Sequence, residues 1–107
     1  MKKENYIGAV FDVVRAIPKG RVTNYGTIAN FLLLGSARMV GWALNQCVPG
    51  DGVPAHRVVN SKGELSGRNS FPTPTTMQER LEKEGVKVEN DRVVDFKKLL
   101  WHPEEEV

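Results

Sequence analysis

Apolar residues at Ile7, Val10, Phe11, Val14 and Ile17 fall at intervals of three, one, three and three, which lines one face of a helix, and Pro18-Lys19-Gly20 ends it. Thr23 or Asn24 can cap a second helix, in which Tyr25, Ile28, Ala29 and Leu32 share a face. Leu34-Gly35-Ser36 is a short turn with an N-cap residue at Ser36. A third helix is expected from Ala37 to about Gln46, with Ala37, Val40, Gly41 and Leu44 turned inward. Val48 to Pro54 is a Gly/Pro-rich loop. Arg57-Val58-Val59 and Glu64-Leu65-Ser66 flank the turn residues Asn60-Ser61-Lys62-Gly63 and predict a hairpin. A polar loop over 67–74 leads to a helix from Thr75 to Glu84, stopped by Gly85. Val86-Lys87-Val88 and Arg92-Val93-Val94 predict a second hairpin, or wing, around Glu89-Asn90-Asp91. Asp95 to Trp101 predicts a last short helix whose Leu99, Leu100 and Trp101 close the core.

Short helices with short hairpins make an α+β, mostly helical class of winged helix-turn-helix type. Two helices joined by a tight glycine-containing turn are the helix-turn-helix pattern, in which the second helix enters the major groove of DNA. The outer face of the third helix carries Arg38, Trp42 and Asn45. The same spacing also fits a plain three-helix core with solvated polar residues, and Trp42 fits a packing role better than a DNA contact.

The 107 residues suffice for one domain, placed over 1–101, with a flexible acidic tail expected over 102–107. Charge separates along the chain: residues 1–68 carry a net +5 and residues 69–107 a net −3. Between Asp12 and Asp51 there is no acidic residue, while Arg15, Lys19, Arg21 and Arg38 lie there, a segment able to approach a polyanion. The asymmetry also fits a solvated face. No run of 18 apolar residues exists, so no membrane contact is expected, and Met1 to Asn5 does not read as a signal peptide. A single cysteine, Cys47, excludes an internal disulfide and a cysteine-based zinc cluster, and the two histidines, His56 and His102, lie far apart. No metal or other cofactor is expected, and a reducing, intracellular setting fits.

The segment Val53-Pro54-Ala55-His56-Arg57-Val58-Val59 resembles the Pro-Cys-His-Arg-Val motif of the O6-alkylguanine-DNA alkyltransferases, with alanine in place of cysteine. Residues 18–26 resemble that family's approach to its helix-turn-helix, and Ser36-Ala37-Arg38-Met39-Val40-Gly41 its recognition helix. Gly63-Glu64-Leu65-Ser66-Gly67 and Leu81-Glu82-Lys83-Glu84-Gly85 follow in order, so the likeness runs from about Tyr6 to Glu84. The resemblance implies the fold of the alkyltransferase C-terminal domain. With alanine at the acceptor position, and with the family's N-terminal domain expected to be absent, it points to the subgroup of alkyltransferase-like proteins.

In the parent family a thiol is activated through the adjacent histidine and a glutamate; His56 and Glu84 match these. Dealkylation needs a nucleophile such as a thiolate, which the methyl of Ala55 cannot supply. The resemblance therefore implies no catalytic residue and no enzyme, with His56 and Glu84 vestigial and structural, holding the loop between Pro54 and Val58. Cys47 reads as a buried or half-buried thiol. The implied activity is to bind and flip O6-alkylguanine in double-stranded DNA, leave the alkyl group in place, and direct the lesion to nucleotide excision repair proteins. Tyr25 would press on the phosphate and rotate the nucleotide out, Arg38 would fill the gap in the stack, and Gly41 would allow close approach to DNA. Arg68 would stack on the flipped base, or else is a solvated loop residue. Thr23 completes the expected DNA-binding set. Leu44, Val53, Pro54, Ala55 and Val58 would line the lesion pocket, which the missing thiol widens for bulkier groups. A monomer is expected, cytoplasmic and nucleoid-associated in a bacterium or nuclear in a eukaryote. Two alternatives stay open from the residues: a regulatory winged-helix DNA-binding protein, and a degenerate alkyltransferase with residual activity.

Overall fold

The computed structural model describes residues 6–47 and 50–106, with only the backbone of Glu106; the expectations for Met1 to Asn5, for Val48 and Pro49, and for Val107 lie outside them. Helix α1, Tyr6–Ala16, buries Tyr6, Val10, Val13 and Val14, with Ile17 just beyond it. The stripe is one position wider than the sequence suggests, because Tyr6 and Val13 join it while Ile7 and Phe11 sit at its edge. Asn24 is the N-cap of helix α2, Tyr25–Phe31, and its side chain accepts a 2.7 Å hydrogen bond from the Thr27 amide. Helix α2 ends through Leu33, which takes a left-handed backbone with φ 57° while the Leu34 amide reaches back to the Ala29 carbonyl.

Helix α3, Ala37–Leu44, differs from its expected face. Val40 and Ala43 are the buried residues, Gly41 and Leu44 are half-buried, and Ala37 is exposed. The half-buried side chain of Leu34 packs on the core just before the helix, so its first turn stands beyond the core edge. Ser36 occupies the N-cap position, but its hydroxyl makes no capping bond.

The first expected hairpin is corrected. Val58–Val59, strand β2, pairs in parallel with Thr23–Asn24, strand β1, in the register Thr23 to Val58 and Asn24 to Val59. The turn chemistry survives: Asn60 Oδ1 accepts from the amides of Lys62 and Glu64, and the Gly63 amide bonds the Asn60 carbonyl. The outgoing segment turns away instead. The Leu65 amide bonds the Asp91 carbonyl, and the Val93 amide bonds the Gly63 carbonyl. The reason is burial on both faces: Val58 enters a helical core and Val59 a second core, and a strand covered on both sides suits a parallel interior pairing.

Helix α4, Thr76–Lys83, supplies Met77 and Leu81 to the second core, with Val22, Leu65, Val86, Val88 and Val93. The wing forms as expected but is shorter: strand β3, Val88–Glu89, pairs antiparallel with strand β4, Arg92–Val93. Asn90 and Asp91 both take positive φ in the connecting turn, the geometry of a two-residue hairpin loop. Helix α5 is limited to Phe96–Leu99, and Trp101 beyond it is fully buried in the helical core. Val22 exchanges backbone bonds with Leu99 and Trp101, which ties this end to the segment leading into β1. Past Trp101 the backbone makes a 3-10 turn, Pro103–Glu106; Pro103 is buried and Glu105 pairs with Arg21 at 3.4 Å. Through these contacts Pro103 and Glu105 meet the domain. Among the described residues no helix is long and apolar enough to cross a membrane.

Candidate functional site

Strand β2 is the seam between the two cores, and the segment just before it forms the floor of a cavity. Proline fixes that approach. Pro54 has φ −81° and ψ 67°, and across it the Ala55 amide bonds the Val53 carbonyl at 2.9 Å, a three-residue inverse turn. Asp51 Oδ1 accepts from the Val53 amide at 3.0 Å and braces the corner. A single 3-10 turn, Ala55–Arg57, then runs into β2. The small side chain of Ala55 lines a cavity of about 790 Å³, within the range of small-molecule sites.

Val53, Pro54, Ala55, Val58 and Leu44 all line this cavity, as do Tyr25 and Gly41. Among the described residues, and apart from its chain neighbours and the backbone of its own helix, no heavy atom lies within 4 Å of where a Cβ on Gly41 would stand, so packing there does not demand glycine. The Tyr25 hydroxyl bonds the Ser66 side chain, and burial raises its pKa above the ordinary tyrosine value against that bond. Asn45 and Ser70 join α3 to the 67–74 loop across a 3.0 Å hydrogen bond, with the Ser70 hydroxyl donating. Cys47, Asp51, Phe71, Met77 and Arg80 also line the cavity; their sequence neighbourhoods carry no motif, and only the fold brings them to Ala55.

Beneath Ala55 lies an ion network. Arg57 grips Glu84 with two bonds, Nε to Oε1 at 3.0 Å and Nη2 to Oε2 at 2.7 Å, and its Nη1 donates to the Ile17 carbonyl at 2.8 Å. His56 Nε2 lies 2.9 Å from Glu84 Oε2. The side chains of His56, Arg57 and Glu84 are only 11%, 16% and 10% exposed. Burial alone would raise the Glu84 pKa, but the bonds from Arg57 and His56 outweigh it and bring it down to about 2. Ionised Glu84 can only accept, so the Nε2 proton of His56 points at it. Burial lowers the His56 pKa and so favours the neutral ring, opposed by the bond to Glu84. Arg57 stands next to His56 in the sequence, yet its part in the network shows only once α4 packs over the 3-10 turn.

Cys47 is half-buried, and its thiol is pushed up to about 11 by burial and by the Asp51 carboxylate, against Arg15. It is a neutral thiol near pH 7 and a poor nucleophile. Among the described residues no group of three or more His, Cys, Asp or Glu could hold a metal ion.

The expected DNA-facing residues divide. Arg38 is exposed on α3, and among the described residues no carboxylate lies within ion-pairing distance of it. Trp42 is more exposed than expected, at 54%, and leans on Tyr6 with ring centroids 6.3 Å apart. Arg68 stands outside the cavity lining, with Nη1 on the Leu65 carbonyl at 3.0 Å and Nε 3.9 Å from Asp91. Thr23 is corrected: it is fully buried between β2 and the core, with its hydroxyl unpartnered, and has no surface to offer DNA.

The chain matches, over residues 5–86, the family described as "6-O-methylguanine DNA methyltransferase, DNA binding domain". It is 35% identical to the alkyltransferase-like protein 1 of Schizosaccharomyces pombe over 108 residues, covering 96% of this chain and 100% of that one. It is also 35% identical to a DNA base-flipping protein of Vibrio parahaemolyticus over 103 residues, covering 94% of this chain and 99% of the other. An S. pombe crystal structure in complex with damaged DNA containing O6-carboxymethylguanine superposes with a TM-score of 0.87 and 33% identity, covering 96% of this chain and 100% of that one.

Proposed function

The chain belongs to the family of 6-O-methylguanine DNA methyltransferase DNA-binding domains, and on that premise we propose that it is a non-enzymatic sensor of O6-alkylguanine in duplex DNA. The observation that carries the reading is the pairing of an open pocket with an inert floor. Ala55 stands at the residue before His56, where a thiol would have to sit to use that histidine, and it offers a methyl group. Glu84 is bound to both His56 and Arg57, so the three serve to hold the 3-10 turn.

Binding would proceed by extrusion of the damaged base, which costs a few kcal/mol and less where alkylation has weakened pairing. Tyr25 would meet the displaced nucleotide from the pocket wall. Arg38, exposed on the adjoining helix and without an ion-pair partner among the described residues, would fill the vacated place in the stack. Gly41 lines the pocket with no side chain to hold a duplex away. Arg68, tethered beside the pocket, would reach the extruded base from the 3-10 turn it occupies. The absence of acids between Asp12 and Asp51 lets this face approach phosphates. The relative solved with O6-carboxymethylguanine supports a pocket that takes groups larger than methyl. We propose further that the lesion stays intact and passes to nucleotide excision repair, with the protein acting as a monomer in the nucleoid or the nucleus.

The test is a binding titration of one duplex carrying guanine or O6-methylguanine, followed by mass spectrometry of the protein. Preference for the damaged duplex with unchanged protein mass supports the sensor. A protein heavier by one methyl group, on Cys47 or elsewhere, overturns it in favour of residual transferase activity. Equal affinity for both duplexes overturns it in favour of a regulatory winged-helix protein.

A further inference from the structure

The cavity wall opposite the inverse turn comes from α4 and the loop before it, and it carries a cation that no other part of the site uses. Met77 and Arg80 are three residues apart, so they share a helix face, and both line the cavity with Ala55 and His56. The Arg80 guanidinium lies over the Phe71 ring, 5.5 Å from its centroid. That contact positions the group through its face and leaves its in-plane N–H donors available. The nearby acids of α4 are engaged elsewhere. Glu84, four residues on, spends both oxygens on Arg57 and His56; Glu79 accepts from Thr75, and Glu82 from Gln78. Among the described residues no carboxylate lies within ion-pairing distance of Arg80.

The opposite charge on the lining is Asp51, which acts on Cys47, whereas Arg80 acts on His56. The cavity is thus polarised, with its positive part beside the residue that follows Ala55. A base held with its O6 group toward Ala55 would direct a longer substituent past that methyl, toward Met77, Phe71 and Arg80.

We propose that Arg80 is the specificity-determining residue of the pocket, favouring O6 substituents that end in a carboxylate over neutral substituents of the same size. The proposal rests on the lesion-binding reading above. Arg80 is exposed, so such a partner gains only a modest, solvent-screened charge-assisted hydrogen bond from it.

The test uses four duplexes that differ only at one base: guanine, O6-methylguanine, O6-carboxymethylguanine and its neutral isostere O6-carbamoylmethylguanine. The wild-type chain is expected to bind the carboxymethyl duplex roughly twofold to fivefold more tightly than the carbamoylmethyl duplex. Arg80→Gln is expected to bring that ratio to about one while leaving the methylguanine-to-guanine ratio unchanged, and Arg80→Lys to restore part of it. An equal ratio in wild type and Arg80→Gln overturns the proposal. So does a uniform loss of affinity across all four duplexes, which would make Arg80 a phosphate contact. Failure of the wild type to prefer any damaged duplex over guanine instead removes the lesion-binding reading, and is distinct from loss of the charge preference alone.

Discussion

Arg57 and Arg38 carry the same guanidinium, and their surroundings give them opposite duties. Arg57 is enclosed under the pocket, with a bidentate carboxylate and a backbone carbonyl as partners. Arg38 stands on the outer face of α3, and among the described residues no acid is near enough to hold it. Groups that look catalytic by their motif, His56 and Glu84, belong with Arg57 and are committed to the fold. Groups that look like ordinary surface are the ones free to meet a ligand. A saturated buried network is hard to recruit for chemistry, because each member moved leaves another unpaired; an exposed, unpaired arginine loses little by binding a partner.

The sharpest way to break this contrast is to remove Glu84. Glu84→Ala leaves Arg57 and His56 buried without their acceptor and is expected to lower stability by about 3–5 kcal/mol, read from a denaturant midpoint. A loss under 1 kcal/mol would show that the network is not structural. Acid should reach the same network without mutation. The Glu84 pKa is depressed from 4.5 to about 2 in the folded chain, so its contribution is present above 4.5 and fades as pH falls from there toward 2. His56 acts in the same sense: its folded pKa lies below 6.5, so the fold weakens as pH drops under that value. Denaturation midpoints measured at pH 7, 5.5, 4 and 3 should therefore fall monotonically, and a midpoint that rises on acidification contradicts the assignment.

The outer face should behave the other way. Arg38→Ala is expected to change stability by less than about 0.5 kcal/mol yet weaken binding to an O6-methylguanine duplex by about 1–3 kcal/mol. Tyr25→Ala should weaken that binding by a similar amount. Unchanged affinity in both variants would remove the flipping account. The smallest effect concerns the helix-turn-helix corner. Leu33 is 91% exposed and holds φ 57°, a left-handed backbone that a leucine adopts at a penalty. Leu33→Gly is expected to raise stability by up to about 1 kcal/mol, since glycine removes that penalty but loosens the unfolded chain. A thermal scan measures it, and a marked loss would mean that the leucine has a packing partner.

The helices were legible because each rests on local signals: apolar spacing along α1, the Asn24 cap of α2, the turn before α3, the Gly85 stop after α4. The Asn90-Asp91 turn was legible for the same reason. The Ala55-His56-Arg57 motif marked the pocket floor, because its resemblance to the alkyltransferases is written in consecutive residues. Strand partners were not legible in this way. Val58 and Val59 are equally apolar, and nothing in a two-residue run says that one enters each core or that the partner is Thr23–Asn24, far upstream. For that reason Thr23 passed for a surface residue, and a hairpin was expected where a parallel pair forms.

The sequence by itself determined the helical segments, the alanine before His56 and the acid-free stretch, since composition and short-range spacing are properties of the chain whatever its path. Tertiary structure alone decided which further residues join the pocket. Packing α4 over the seam brings Phe71, Met77 and Arg80 to Ala55 and closes Arg57 onto Glu84. Contacts between residues more than fifteen positions apart depend on how two cores meet along β2, and that meeting is set by the burial of many side chains together rather than by any one local pattern.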